Sequence, residues 1–423
     1  MKTRRSFLKS AFAAAAAFVH PALYATSGSS LKFPNKYVVT LQAVGGWDVT
    51  YFCDPKENQP GSDVITNWSK VGDIQFAGNL RFAPVSKNKE FFERHYDKTL
   101  VINGVDSQTN AHSIGETISW SGRTAAGYPS LTALYSAAYA PSLPMSYLAF
   151  GGFNKAQGLL RPTIVSPWNT SELRELFRPN TGYNRSLIDP EIWSLIRGMS
   201  ADDMRVSLES ESLIAGNRKA RSAYLESIEN DERLSEFAAT IPTREQFDQL
   251  GDNRLIHQAN FALLAFKAGV SVAADLQAGG FDSHSDNDMK QLEGLAQITD
   301  ALDYLWDFAE ELGIDDQLVV VVGSDFSRTP FYNSGDGKDH WPIGSYMVME
   351  KNAPFGNKVL GETDEEQNAY AINPRTLEST SFSGVKLVPG HVHKALRRYL
   401  GLESAEITAA FPLVNIESID FFG

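Results

Sequence analysis

Cysteine is all but missing from this chain of 423 residues. Cys53 stands alone, so no intramolecular disulfide can form. Stability has to come from a hydrophobic core, which a chain of this length can bury as one large domain. Long apolar runs are scarce as well. The body's longest apolar strings, such as Leu318 to Val322, have strand length and fall far short of the roughly 20 residues that cross a bilayer. Positive charge is in deficit, with 38 basic against 51 acidic residues and a formal net charge of −13. That balance excludes nucleic acid and anionic membrane surfaces as generally attracted partners. A long polyanionic substrate is disfavoured too, unless a metal site locally reverses the field. No Gly-x-Ser-x-Gly elbow stands near a strand end, and no Walker or dinucleotide-binding glycine pattern falls at a strand–helix junction.

The amino terminus reads as an address. Arg4 and Arg5 form a basic start, Phe7, Leu8 and Lys9 follow at twin-arginine spacing, and a weakly apolar, alanine-rich stretch runs from Ala11 to Val19. Small residues around Ala25 offer a cleavage point. An ordinary secretory signal or an uncleaved anchor is the alternative. Residues 1–25 are therefore expected to be a signal peptide handed to the twin-arginine translocase, leaving the mature protein periplasmic or secreted, with no membrane span. Cleavage would remove four basic residues and no acid, making the mature chain more acidic still.

Three segments share a layout of β-rich run, glycine or serine, then acid. Lys36 to Val44 leads into Gly45-Gly46-Trp47-Asp48, and Val270 to Leu276 leads towards Gly280-Phe281-Asp282-Ser283-His284. Gln317 to Val322 leads into Ser324-Asp325-Phe326-Ser327-Arg328. Unbroken apolar runs of this length suit strands buried on both faces, as in a parallel sheet. Weaker strand candidates are Thr99 to Val105, Ser146 to Phe150 and Gly344 to Met349. Helical spacing runs from Met289 to Leu312, through Asn260 to Ala268, and from His391 to Tyr399. The alternation predicts an α/β fold with a doubly wound, mainly parallel sheet, one domain over residues 35–415. Residues 190–252, charged and rich in helix formers, read as a helical insertion. Ligands of such sheets gather beyond the carboxyl ends of the strands, so the glycine–acid turns mark a site.

Asp48, Asp282, His284, Asp325, Asp339 and His340 fall in four short segments, three of them closely following predicted strands. Carboxylates mixed with imidazoles suit zinc or manganese, with calcium as a further option. Taken singly, each acid reads equally as a turn former. A cluster of acids would repel itself, so a cation or basic neighbours should lie among them.

The ordered set Gly45-Gly46-Trp47-Asp48, Ala111-His112, Gly280 to His284, Ser324 to Thr329 and Asp339-His340 resembles the DUF1501 family. That family is related to the alkaline phosphatase and sulfatase superfamily. The resemblance implies an alkaline-phosphatase-like fold and two metal ions at the strand ends. Asp48 would be the first-strand ligand, Asp282 and His284 would hold one metal and Asp325 the other, with His340 and Asp339 completing the set. It also implies an exported metal-dependent hydrolase of phosphate or sulfate esters, acting on a small-molecule or glycan ester.

The chain departs from the superfamily pattern in places. Asp325 is followed by Phe326 where a histidine is usual, and Cys53 to Glu57 lacks the arginine a sulfatase motif requires. Ser113, beside His112, is a candidate nucleophile, with Thr109 and Thr117 as alternatives. His112 is a candidate site residue, and Arg328 either neutralises the acids or binds an anionic substrate as a fork. His391 and His393 read as helix-end residues or ligands, His95 and His257 as structural. The alternative function is a non-catalytic exported protein that keeps the fold to bind or assemble with an exported protein partner. A carbohydrate-binding reading has only the 11% aromatic content behind it.

Overall fold

In the computed structural model the described residues are 33–58, 68–166, 173–176, 181–182, 185–209, 215–380 and 383–423. The expected signal peptide, residues 1–25, lies outside them. Among the described residues no helix is long and apolar enough to cross a membrane.

Eight strands form one central sheet: β1 (Tyr37–Ala43), β2 (Thr99–Asp106), β3 (Tyr147–Ala149), β4 (Thr163–Ile164), β5 (Ala273–Ala278), β6 (Leu318–Ser324), β7 (Ile343–Met349) and β8 (Lys358–Leu360). Their order is β8-β2-β7-β6-β1-β5-β3-β4. The strands at the centre are the ones with unbroken apolar sequence. Every residue of β1 and of β6 is buried, and each of the four valines Val319 to Val322 contributes about 1.5–3 kcal/mol through burial. β1 runs parallel to both neighbours, with Val39 opposite Val320 and Ala274. All strands share one direction except β7, which is antiparallel to β6 and to β2. The fold is thus α/β with a mainly parallel sheet, and its one reversed strand matters for the site. Because β7 runs backwards, the residues leading into it arrive at the edge where its neighbours end.

Among the described residues the α-helices of eight residues or more are α1 (Asn88–His95), α2 (His112–Ser121), α3 (Leu131–Tyr139), α4 (Pro190–Leu208), α5 (Ala215–Thr240), α6 (Arg254–Lys267), α7 (Asn287–Leu312) and α8 (Pro389–Tyr399). α6 and α7 pack on one another, and α7 buries Leu295, Ile298, Leu302, Leu305, Phe308 and Leu312, the stripe its spacing predicts. The long helices α4 and α5 occupy the segment expected to be helical and also pack together. Strand bounds differ modestly from the sequence reading. β5 begins at Ala273 rather than Val270, and the stretch 351–386 adds the edge strand β8, paired with β2.

Candidate metal centre

Five segments meet at one sheet edge. β1 ends in Gly45-Gly46, β5 runs out to Asp282 and His284, and β6 ends beside Asp325. The stretch before β7 carries Asp339 and His340, while the segment after β2 enters α2 at His112. Close approach of these turns needs small residues. Gly45 has φ +112°, and a Cβ there would come within 2.5 Å of the Asp282 amide nitrogen. A Cβ on Gly337 would meet the His284 carbonyl at 2.0 Å.

Asp282 lies at the centre of the cluster. Its Oδ1 stands 3.6 Å from His112 Nε2, 3.2 Å from His284 Nε2 and 3.5 Å from His340 Nε2. His112, Asp282 and His340 offer ligand atoms that all lie within 4.8 Å of one another, a possible metal site. About half of the Asp282 side chain faces solvent.

Each imidazole is held from behind. His112 Nδ1 bonds to Asp325 Oδ2, His284 Nδ1 to Asp339 Oδ1 at 2.8 Å, and His340 Nδ1 to the Asn110 carbonyl at 2.7 Å. Carboxylates and carbonyls accept only, so the Nδ1 atoms donate. In the neutral rings this leaves the Nε2 lone pairs aimed at the cluster, the arrangement found behind metal-ligating histidines. Two consequences are visible. His112 Nε2 is buried without a hydrogen-bond partner, and the Nε2 atoms of His284 and His340 face each other at 2.8 Å. Two lone pairs at that distance need a proton or a metal cation between or beside them. Ligands of a tetrahedral ion with bonds of about 2.0–2.1 Å lie about 3.4 Å apart, close to the three separations around Asp282. The donor set therefore fits one small divalent ion.

The supporting shell is largely buried. Asp325 accepts from the Gly46 amide at 2.7 Å, the Gly45 amide at 3.2 Å and Ser324 Oγ at 2.8 Å, which aims its other oxygen at His112. That hydrogen bond raises the His112 pKa, with burial working the other way. Arg328 is wholly buried. It donates to the carbonyls of Gly46 (3.0 Å), Lys338 (3.0 Å) and Gly45, and to Asp282 Oδ1 at 2.6 Å. Burial by itself would push the Asp282 pKa up, but the hydrogen bond and charge of Arg328 hold it below the usual carboxylate range. Asp339 is held low first by its bond to His284. The Phe326 ring, where a histidine is usual, packs against both His112 and His340, at 4.7 and 4.6 Å between centroids.

The residues singled out from sequence thus separate into three positions. Asp282, His284, His340 and His112 converge. Asp325, Asp339 and Arg328 stand behind them, orienting rather than pointing inward. Asp48 lies apart, wholly buried against Lys338 at 2.8 Å. Ser113 is exposed in the first turn of α2, and its hydroxyl makes no hydrogen bond to the cluster. His391 pairs with Glu417 at 3.0 Å, and His393 sits buried on the Ser119 carbonyl. Neither joins the site.

Two contributors escaped the sequence reading. Gln291 of α7 ties the turns after β1 and β5 together, donating to Phe281 O (2.9 Å), Ser283 Oγ (2.9 Å) and Gly46 O (3.3 Å) and accepting from the Asp48 amide (2.8 Å). Its neighbours on α7 gave no cue. Lys338 directly precedes Asp339-His340, and the need of clustered acids for a basic neighbour was a signal for it.

No curated protein matches the chain. Among solved structures it is similar to alkaline phosphatase from the Antarctic bacterium TAB5, at 12% identity over 78% of this chain and 94% of that one, TM-score 0.34. It is also similar to the phosphonate monoester hydrolase of Agrobacterium radiobacter, at 11% identity over 86% and 74%, TM-score 0.35. A third is Ps i-CgsB in complex with k-i-k-neocarrahexaose, at 6% identity over 92% and 75%, TM-score 0.36. The family model described as "Protein of unknown function (DUF1501)" matches residues 35–404, and the chain belongs to that family.

Proposed function

We propose that this protein is an exported, metal-dependent hydrolase of phosphate or sulfate esters, with His112, Asp282, His284 and His340 holding one zinc or manganese ion. The observation that carries the reading is the convergence of three imidazole Nε2 atoms on Asp282, each ring fixed through Nδ1 and one Nε2 buried without a partner. When bound, the ion supplies Lewis acidity for an ester oxygen. Three neutral imidazoles and one carboxylate leave a divalent ion with net positive charge, which favours an anionic ester group at the open side of Asp282.

The chain's own residues do the rest. Asp325 and Asp339 lock the tautomers of His112 and His284, and the Asn110 carbonyl locks His340. Arg328 acts as a positioning residue for Asp282. Its guanidinium is spent on three carbonyls and one carboxylate inside the protein, which favours neutralisation over a substrate fork. Residues 35–415 are read as one domain that includes the helical segment 190–252, and residues 1–25 as the export signal.

One observation favours a second reading, a non-catalytic exported protein that keeps the fold to bind a partner. The hydroxyl of Ser113 has neither a base nor a cluster group in hydrogen-bond contact, as an activated nucleophile would. Elemental analysis of the purified mature protein, run beside aryl phosphate and aryl sulfate assays, separates the two. Stoichiometric metal with metal-dependent turnover, both lost in Asp282→Ala, supports the hydrolase. Metal without turnover on either ester moves the case to the second reading.

A further inference from the structure

Lys338 carries a buried positive charge that the proposed mechanism leaves unused. Its ammonium lies 2.8 Å from Asp48 Oδ2, and neither side chain is exposed. Thr50 Oγ1 accepts from it at 3.2 Å, and the rings of Tyr51 and Tyr332 stand 5.1 and 5.2 Å away. Asp48 is equally well supplied. Its Oδ1 takes the Thr50 amide at 3.0 Å and the Thr50 hydroxyl at 2.6 Å, and Asn287 Nδ2 reaches Oδ2 at 3.1 Å. Both tyrosine hydroxyls close over the pair by donating to Asp288 Oδ1, at 2.7 and 2.6 Å.

The backbone of the same residue touches the cluster's frame. Lys338 N donates to the Ser283 carbonyl at 3.0 Å, and its carbonyl accepts from Arg328 Nη1 at 3.0 Å. The next two residues are Asp339, which orients His284, and His340, one of the converging imidazoles. A side chain pegged beneath the cluster thus anchors the segment that carries two of the cluster's groups. Its ammonium also neutralises a carboxylate that is fully buried at this edge.

We propose that Lys338 is the resident second cation of this edge. It neutralises Asp48, positions Asp339 and His340 through the residues that follow it, and limits the edge to a single metal ion. The inference rests on the metal reading above. A divalent ion could reach Asp48 only by expelling an ammonium that already holds a carboxylate, a hydroxyl and two ring faces.

The test is equilibrium dialysis of the full mature chain against zinc, with circular dichroism as the check on folding. It compares wild type, Asp282→Ala, and the double variant Asp48→Asn/Lys338→Met. The double variant replaces the ion pair by neutral side chains of similar volume, so that no buried charge is left alone. One zinc per wild-type chain, with affinity falling 10–100-fold in a folded double variant, is the expected result. Two zinc ions per wild-type chain, or unchanged affinity in the folded double variant, overturns the inference and leaves the metal reading standing. No zinc on the wild type overturns the metal reading and this inference with it. The wild-type stoichiometry decides the single-ion claim whether or not the double variant folds.

Discussion

Two groups of charged side chains share one edge of the sheet and differ in how completely they are matched. Around Asp48 and Lys338 the carboxylate and the ammonium are both hydrogen-bonded, and both side chains are sealed from water. Around Asp282 the carboxylate is half exposed, one imidazole nitrogen is buried without a partner, and two others face each other. Closed networks of this kind fix a conformation. Open ones keep unsatisfied valence for something else, at a cost to stability. The same residue types at the same kind of strand end therefore serve opposite purposes, and closure from water separates them: Asp48 is shut in with Lys338, whereas Asp282, though paired with the buried Arg328, keeps an exposed face.

The sharpest way to break the contrast is to take one partner from the closed group. Lys338→Met leaves Asp48 buried and uncompensated and should cost about 3–5 kcal/mol, read as a loss of stability in denaturant unfolding. Adding Asp48→Asn should recover most of it. A loss below about 1 kcal/mol would mean that the pair is not shut away from water.

A third buried group adds a pH axis. Asp275, inside β5, accepts from Thr40 at 2.7 Å, Thr132 at 2.6 Å and Tyr147, yet burial pushes its pKa up to about 6. With the folded pKa above the unfolded one, its contribution is full below about pH 4 and is lost as pH rises through about 6. His393 works in the opposite sense. Burial lowers it to about 4, so its penalty appears as pH falls from about 6.5 towards 4. Each shift corresponds to roughly 3 kcal/mol, and the two nearly cancel. Asp275→Asn should unmask His393, giving unfolding stability that climbs with pH between about 4 and 6.5 more steeply than in wild type. Parallel wild-type and variant curves would rule out a titrating Asp275.

In the open group, substitution should move ligand binding far more than stability. Asp282→Ala is expected to abolish stoichiometric metal binding while costing about 1.5–3 kcal/mol of unfolding stability, less than the closed pair, since Arg328 loses a half-exposed carboxylate but keeps its carbonyl partners. Bound metal unchanged in that variant would remove Asp282 from the site. Ser113→Ala should have the smallest effect, within about 0.5 kcal/mol of wild-type stability, because the hydroxyl is exposed and unbonded. Retained turnover on aryl esters in that variant would dismiss Ser113 as the nucleophile, and abolished turnover would establish it.

Much of the architecture was legible from local pattern. The runs at Lys36 to Val44 and Gln317 to Val322 had to be strands buried on two faces, since no other short element hides so many consecutive valines. The stripe from Met289 to Leu312 had to be a helix. The glycine–acid turns pointed to one shared edge, because mainly parallel strands bring their carboxyl ends together. The division of labour among the acids was not legible. Asp48, Asp282 and Asp325 follow their strands in similar sequence surroundings, but whether each faces a lysine, an arginine or a histidine depends on partners 46 to 290 residues away. The strand at Gly344 to Met349 was legible but its reversed direction was not, and that reversal carries His340 and Lys338 to the edge.

By itself, then, the sequence determined the strands, the helices, the acidic character, the lack of disulfides and the short segments where chemistry could reside. All of these follow from residue type and spacing along the chain. Only the tertiary structure decided which imidazoles converge, which carboxylates stand behind them and which one is closed off by Lys338. Those outcomes depend on distances between segments far apart in the chain, set by the packing of the sheet.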